Sequence, residues 1–139
     1  MPDHERTIQQ LKDQVQRFVD QRDWRTYHDP KNLAMSIAIE AAELMEHFQW
    51  WRSDELAAVR DDPQAMAEIR EELADIACYV LSFANALGID LSSAVESKLA
   101  KNAEKYPADR FRGKFRAEGT GGQDPQGLSG RETGTGSSW

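Results

Sequence analysis

Four acidic residues, spaced as two pairs, are the part of this sequence best suited to chemistry. Glu40 and Glu43 form a Glu-x-x-Glu motif, and Glu72 and Asp75 form a Glu-x-x-Asp motif. Because residues three apart share one face of a helix, each pair can direct two carboxylates at one point. Two such helices packed together would gather four carboxylates, which repel one another and raise each other's pKa. Divalent cations relieve that repulsion, and oxygen ligands of this kind favour Mg²⁺.

Either acid pair alone is a weak signal, since glutamate is a common helix former and Glu68 and Glu71 repeat the spacing. On a helical wheel, however, Glu40 lies beside the apolar stripe of its helix and Glu72 flanks the stripe of the other. The four residues of that second stripe are Ile69, Leu73, Ile76 and Val80. Acids that border a core need cations or hydrogen-bond donors, which strengthens the prediction of a metal site.

Apolar periodicity predicts four helices and no strand, over about 7–21, 32–50, 63–87 and from Asp90 to near Tyr106. Asp29-Pro30 is expected to break the chain before the second helix. A short helix with Ser53 as its N-cap is predicted between the second and third. Gly88 suits the position after the third helix. The pattern therefore predicts an all-α fold, a four-helix bundle.

Glycine usage divides the chain, because eight of its nine glycines lie in residues 113–139. That segment is too poor in apolar residues to offset its ordering entropy. We therefore expect one domain over residues 1–112 and a disordered tail over 113–139. The net charge of −7 argues against a nucleic-acid polymer as partner.

The only cysteine, Cys78, excludes a disulfide within the chain and fits a reducing compartment. No run of 18 apolar residues is present, so we expect no membrane span. The N-terminal residues MPDHERTIQQ lack the apolar run of a signal peptide. Together these features predict a cytoplasmic protein.

The second predicted helix is apolar on both sides, which indicates burial on both sides. Its far side carries Met35, Ala38, Ala42 and Met45. Four helices from one short chain are too few to cover such a helix, so we expect a homo-oligomer, with a tetramer as the first expectation.

Several other residues are candidates for a site, each with an ordinary structural interpretation beside it. His47 lies one turn after Glu43 and suits a ligand or a donor to one, although a plain polar residue is the simpler interpretation. Trp24 and Trp50 bracket the first acid-bearing helix, either as core or lid residues or as a stacking platform for a flat ligand. A polar stripe on the fourth helix suits either solvent or phosphate oxygens. Its members are Lys98, Asn102 and Tyr106.

These residues resemble the all-α MazG-like nucleoside triphosphate pyrophosphohydrolases, and most closely their dCTP pyrophosphatase branch. The shared pattern is E-x-x-E, a spacer, then E-x-x-D, here with 28 residues between Glu43 and Glu72. The segments RDWRTYHDPKNL, EAAELMEHFQW, EELADIACYVL and SKLAKNAEKYP carry the branch resemblance, which covers about residues 8–112.

The resemblance implies a Mg²⁺-dependent hydrolase that converts a dNTP, dCTP or a modified dCTP above all, to dNMP and pyrophosphate, cleansing the nucleotide pool. It implies Mg²⁺ ligands at Glu40, Glu43, Glu72 and Asp75. It implies base and sugar contacts from Trp24, His28, Trp50 and Tyr79, and triphosphate contacts from Lys98, Asn102 and Tyr106. Family members form dimers or dimers of dimers. Glu46 is a candidate general base by its position, and the alternative is a metal-bound hydroxide that needs no base.

Three alternatives stay open on the residues alone. One is the same superfamily acting on dUTP, oxidised nucleotides or phosphoribosyl-ATP. Another is a regulator that binds nucleotide or metal without turnover, and the last is a helical module that binds a partner through its apolar faces.

Overall fold

Helices make up the framework of the computed structural model, which describes residues 2–114. The long helices are α1 (Ile8–Asp20), α2 (Pro30–Glu46), α3 (Pro63–Ala86) and α4 (Leu91–Lys105), and a short α5 (Ala108–Phe111) follows. Two 3₁₀ helices are also present, Asp3–Glu5 before α1 and Leu56–Asp61 between α2 and α3. Within residues 2–114 there is no β-strand, so the predicted all-α fold with four long helices is confirmed.

Side-chain caps explain where the helices begin, as α1 and α3 show. Thr7 accepts the Gln10 backbone N–H at 3.1 Å, and the Gln10 side chain accepts the Thr7 N–H at 2.9 Å. The Asp62 carboxylate accepts the N–H of Gln64 at 2.9 Å and that of Ala65 at 3.1 Å, at the start of α3. Each such cap stabilises its helix by about 1 kcal/mol.

The start of α2 differs from the sequence prediction, which placed it near Asn32 after a break at Asp29-Pro30. The helix begins at Pro30 itself, because Asp29 caps it by accepting the Asn32 N–H at 2.9 Å. Proline fits the first helical position, where no N–H is needed. The helix ends at Glu46, four residues before the predicted end at Trp50.

The predicted helix capped by Ser53 is also corrected. It is a 3₁₀ helix, Leu56–Asp61, that follows Glu55 and has no side-chain cap. Short helical segments that connect two longer helices are often 3₁₀ rather than α, and this six-residue segment has no side-chain cap to start an α-helix.

The helices α2 and α3 form an antiparallel hairpin, and α1 packs on α3. The direction follows from which residues meet: Glu40 lies beside Glu72, whereas Pro30 and Ala86 line one cavity. The buried apolar residues are Val19, Leu33, Val59, Leu81 and Ala84.

Two hydrogen bonds tie α1 to the C-terminal end of α3. The Lys12 Nζ donates to the Ile89 carbonyl at 2.8 Å, and the Asn85 side chain donates to the Lys12 carbonyl at 2.9 Å. Gly88 lies between Asn85 and Ile89 and has a φ of +63°, which agrees with its predicted position just after α3. The long lysine side chain is thereby buried with its amino group satisfied.

Large apolar side chains remain exposed on the hairpin. Met35 and Met45 of α2 are 57% and 70% exposed, on the face predicted to need a partner. Leu73 is 57% exposed, so its predicted place in the buried stripe of α3 is wrong for a single chain. In this chain α3 turns Ile69, Ile76 and Val80 inward, and Leu73 lies to one side of them.

The chain divides into two compact units between Lys98 and Leu99, within α4. In the described part of the chain, the first unit holds α1, α2, α3 and the start of α4, and the second holds the rest of α4 and α5. The predicted tail lies outside the described residues from residue 115 onward. The prediction of one domain over 1–112 with a disordered tail over 113–139 therefore stays a prediction.

Among the described residues, no single helix is long and apolar enough to cross a membrane. Counted together, α3 and α4, which are bent relative to each other, have the length and apolar composition of a membrane span. Core helices of globular proteins can have the same length and composition.

Candidate metal centre

Three of the four predicted ligands meet at the centre of the α2–α3 hairpin. Carboxylate oxygens of Glu40, Glu43 and Glu72 all lie within 4.8 Å of one another. The i, i+3 spacing on α2 brings Glu40 and Glu43 together, and antiparallel packing adds Glu72 from α3. Glu40 and Glu72 are partly buried, whereas Glu43 is exposed.

Asp75 lies outside that group of three but acts on it electrostatically. Burial raises the pKa of Glu40 above its ordinary value of 4.5, and the charges of Glu43, Asp75 and Glu72 raise it further. All four predicted acids therefore share one electrostatic neighbourhood. Like charges held this close disfavour full ionisation unless a cation joins them.

The donor set fits a hard divalent cation. Every group in the cluster offers carboxylate oxygen, the ligand type that Mg²⁺ and Ca²⁺ prefer, and none offers sulfur. Because the oxygens come from two helices rather than one loop, the site forms only when the hairpin packs.

His47 is a neighbour of the cluster whose role was left open by the sequence. It is the C-cap residue of α2, and its ring reaches across to α3. Its Nε2 lies 3.9 Å from the Glu72 Oε1, and its Nδ1 lies 3.7 Å from the Glu68 Oε2. The signal available in the sequence was its spacing of one turn after Glu43.

Trp24 and His28 form an aromatic cluster at the other end of α2, next to its N-terminus. Their rings stack with centroids 6.2 Å apart and planes 14° apart, and the His28 Nδ1 lies 3.0 Å from the Trp24 carbonyl oxygen. The Phe18 ring meets Trp24 edge-on at 6.0 Å, and the Arg22 guanidinium lies 3.6 Å above the Phe18 ring. The His28 and Trp24 rings are therefore nearly parallel neighbours at the N-terminal end of α2.

A cavity of about 380 Å³ opens beside this aromatic cluster. Polar side chains dominate its lining, including Gln16, Arg25, His28, Ser82 and Asn85. Arg25 is held by a two-point ion pair with Asp20, at 2.6 and 2.8 Å, which lowers the pKa of Asp20. Ser82 lies seven residues after Asp75 on α3, so the cavity is about 10 Å along the helix from the acids.

Trp50 and Trp24 lie at opposite ends of α2 within one chain. Trp24 precedes the N-terminus of α2, whereas Trp50 follows its C-terminus and is 86% exposed. The 17 residues of α2 span about 25 Å, so the two indoles of one chain cannot enclose one base. Tyr79 is partly buried, one turn after Asp75 on α3.

Glu46, the predicted general base, is exposed and lies outside the group of three carboxylates. It lines a largely apolar recess of about 410 Å³ with Ala42, Met45, Phe48 and Gln49. It therefore stands between the acid cluster and the exposed apolar face of α2.

The predicted phosphate-contacting residues lie along and just after α4, with Lys98 in the first compact unit and the others in the second. The Asn102 side-chain nitrogen is buried and has no hydrogen-bond partner among residues 2–114. The Tyr106 N–H donates to the Asn102 carbonyl at 2.8 Å, and the Tyr106 ring meets Phe111 edge-on at 5.3 Å.

Known proteins are similar to this chain in sequence and in fold. A family model described as the MazG-like family matches residues 35–115. The dCTP pyrophosphatase 1 of Mus musculus is 34% identical over 109 residues, which cover 78% of this chain and 64% of that protein. The dCTP pyrophosphatase 1 of Homo sapiens is 34% identical over 112 residues, covering 81% of this chain and 66% of that protein.

The chain thus spans just under two thirds of the length of these curated relatives. The crystal structure of a pyrophosphatase from Archaeoglobus fulgidus superposes with a TM-score of 0.68 and 42% sequence identity, covering 77% of this chain and 98% of that one. These matches confirm the resemblance to MazG-like proteins and, among them, to dCTP pyrophosphatases. The chain belongs to the MazG-like family.

Proposed function

We propose that this protein is a Mg²⁺-dependent nucleoside triphosphate pyrophosphohydrolase that converts a dNTP to dNMP and pyrophosphate. The observation that carries the proposal is the group of three carboxylates, drawn from two helices, whose oxygens lie within 4.8 Å of one another. A divalent cation would relieve the repulsion within such a group, and the triphosphate of a nucleotide would be a further oxygen ligand of that cation. The names of the relatives, dCTP pyrophosphatase and pyrophosphatase, support the reaction class.

In this proposal Glu40, Glu43, Glu72 and Asp75 hold Mg²⁺. When bound there, Mg²⁺ would neutralise triphosphate charge and lower the pKa of a coordinated water. The packed hairpin holds these carboxylates in place, so a cation bound by them would have a defined position against the triphosphate. This role requires the two helices to stay in register, which the burial of Leu33 and Leu81 supports.

The bond changes are those of hydrolysis at the α-phosphorus. A water oxygen bonds to the α-phosphorus while the bond from phosphorus to the α–β bridging oxygen breaks, and pyrophosphate leaves with that oxygen. Glu46 is the proposed acceptor of the water proton, since it is exposed and lies one turn after Glu43. The proposed phosphate contacts are Lys98, Asn102 and Tyr106, of which Asn102 has a buried amide nitrogen still unpartnered in the described part of the chain.

The proposed base contacts are Trp24, His28, Trp50 and Tyr79, and their placement calls for more than one copy of the chain. Because Trp24 and Trp50 stand at opposite ends of α2, a base held by both would take one indole from each of two copies. The exposed face of α2, with Met35 and Met45 more than half exposed, is the proposed contact between copies. A dimer, or a dimer of such dimers, is therefore the proposed assembly, acting on the cytoplasmic nucleotide pool.

Hydrolysis in ¹⁸O-labelled water tests the reaction directly. Attack at the α-phosphorus places the label in dCMP and leaves the pyrophosphate unlabelled, whereas attack at the β-phosphorus labels the pyrophosphate. Mass spectrometry of both products from dCTP and Mg²⁺ distinguishes the two. Label in pyrophosphate, or label in released orthophosphate, would contradict the proposed reaction.

A further inference from the structure

His47 bridges two carboxylates of α3 that lie one helical turn apart. Each of its ring nitrogens faces a different acid: Nε2 lies 3.9 Å from the Glu72 Oε1, and Nδ1 lies 3.7 Å from the Glu68 Oε2. The imidazole is largely enclosed, with 22% of its side chain exposed. Both gaps are about 1 Å longer than a hydrogen bond, so a small side-chain adjustment closes either one.

The two contacts have different effects because the two acids differ. Glu72 belongs to the group of three carboxylates and is 21% exposed, whereas Glu68 is 46% exposed and lies outside that group. The Glu68 carboxylate also accepts a hydrogen bond from the Gln64 side chain. A series of side chains therefore runs along the hairpin from Gln64 through Glu68 and His47 to Glu72.

The ring does not belong to the group of three carboxylates whose oxygens lie together. The group whose atoms lie within 4.8 Å of one another contains Glu40, Glu43 and Glu72 but not His47. Because its nitrogens face Glu68 and Glu72, the ring lies between those two acids, beside the ligand group. A side chain that touches a ligand without joining the ligand group is suited to orient that ligand.

We propose that His47 is a positioning residue, which holds the Glu72 carboxylate toward Glu40 and Glu43 and is itself held by Glu68. This inference rests on the proposed function for the presence of a divalent cation at the acids. It assigns a cause to the geometry of Glu72, whose side chain has three rotatable bonds and would otherwise sample several orientations. The consequence is tighter cation binding without any added ligand.

The test measures Mn²⁺ affinity from the free-ion EPR signal, which does not depend on turnover. His47→Leu keeps an apolar side chain of similar size and removes both ring nitrogens, so the dissociation constant for Mn²⁺ should rise by about 10-fold or more. His47→Gln keeps an N–H donor and should stay within about 3-fold of the wild type. Glu71→Gln removes a charge from an exposed residue of the same helix and should leave the affinity unchanged.

A second variant guards against a folding defect at position 47. Glu68→Gln alters a half-exposed residue and replaces the charged carboxylate that faces the His47 Nδ1 with a neutral amide, so it should weaken Mn²⁺ binding by more than Glu71→Gln does. Thermal melting without Mn²⁺ checks that each variant is folded. Affinities of His47→Leu and Glu68→Gln equal to that of Glu71→Gln would overturn the proposal. Tighter binding by His47→Leu would also overturn it, since the ring would then be opposing the cation.

Pyrophosphate release by the same samples separates the two proposals. If the wild type binds Mn²⁺ and His47→Leu binds it weakly, but no dNTP is hydrolysed, the positioning role stands and the proposed function fails. If dNTP is hydrolysed and Mn²⁺ affinity does not depend on His47, the positioning role fails and the function stands. A wild type that binds no Mn²⁺ would overturn both.

Discussion

Glu40 and Glu72 belong to different helices, yet their carboxylate oxygens lie within 4.8 Å of each other. Folding of the α2–α3 hairpin therefore creates a repulsion that the unfolded chain does not have. Burial raises the pKa of Glu40, and the charges of Glu43, Asp75 and Glu72 raise it further. A cluster of this kind costs stability unless it binds a cation, and that property is typical of functional sites.

Removing one ligand charge should abolish most turnover while leaving the fold intact. Glu43→Gln and Asp75→Asn should each lower kcat by at least about 100-fold, because charge stabilisation by the bound metal supplies much of the rate acceleration in such reactions. Neither variant should unfold, since each relieves repulsion among the acids. Steady-state kinetics and thermal melting check both parts. Turnover within about 10-fold of the wild type would show that the substituted residue does not hold the catalytic metal.

Glu40 should make stability depend on pH in a definite direction. Its folded pKa is raised above the ordinary value of 4.5, so the folded state holds this proton more strongly than the unfolded chain does. The free energy of unfolding should therefore fall as pH rises from about 4.5 through the raised pKa. The Glu40→Gln variant has no carboxylate to ionise at this position, so its free energy of unfolding should not fall for this reason. Without divalent cations the variant should therefore become more stable than the wild type as pH rises through the raised pKa.

Denaturant unfolding of both proteins at several pH values with EDTA measures the difference. At pH below the ordinary glutamate value the two proteins should converge, and saturating Mg²⁺ should reverse the advantage at neutral pH by stabilising the wild type. A stability difference that stays constant with pH, or that favours the wild type as pH rises without Mg²⁺, would contradict the raised pKa.

A base site shared between copies should show complementation between two defective variants. Trp24→Ala and Trp50→Ala should each raise KM for the nucleotide more than they lower kcat, because stacking holds substrate and transition state about equally. In mixed dimers one site carries both substitutions and the other carries none. Purified mixed dimers should therefore have about half of their sites intact, and an unpurified random mixture about a quarter.

Co-expression with two affinity tags provides the mixed dimers, and rates at low nucleotide concentration report the restored sites. Trp51→Ala serves as the control for removing an indole next to Trp50. If both single variants are folded but the mixed dimers show no recovery, Trp24 and Trp50 do not form one base site between two copies.

A pyrimidine, with dCTP or a 5-substituted dCTP leading, is expected from the resemblance in RDWRTYHDPKNL and from the aromatic residues near His28. The measurement is kcat/KM for dCTP, 5-methyl-dCTP, dUTP, dTTP, dATP and dGTP at one Mg²⁺ concentration. A purine or an oxidised purine ahead by about 10-fold would defeat the pyrimidine expectation and leave the reaction class standing.

Helix positions were predictable from the sequence because capping residues and apolar spacing act locally. Thr7, Asp62 and Asp90 mark helix starts through bonds to N–H groups no more than three residues away. The predicted start of α2 at residue 32 is wrong because Asp29 and Pro30 do not break the chain but form the N-cap and the first residue of the helix. The information needed to predict this start is local, since Asp29 caps the helix three residues before Asn32, and proline at the first helical position starts a helix rather than breaking one.

The candidate site was predictable as a set of acids but not as a geometry. The i, i+3 spacing predicts that Glu40 and Glu43 meet, whereas the approach of Glu72 depends on the register of two antiparallel helices. The contact between His47 and Glu68 depends on the same register, and no local pattern reports it. The exposure of Leu73 likewise depends on how α3 is rotated against its neighbours, which a helical wheel drawn for one helix does not contain.

Pyrophosphate release from dCTP is the measurement that tests the proposed function most directly. With Mg²⁺ present, the wild type should release one pyrophosphate for each dCMP formed, with no orthophosphate, and EDTA should stop the reaction. Glu71→Gln should match the wild type, because this exposed residue lies outside the acid cluster. Orthophosphate as the first product, release that persists in EDTA, or no release from any dNTP by a folded, Mg²⁺-loaded protein would contradict a metal-dependent pyrophosphohydrolase.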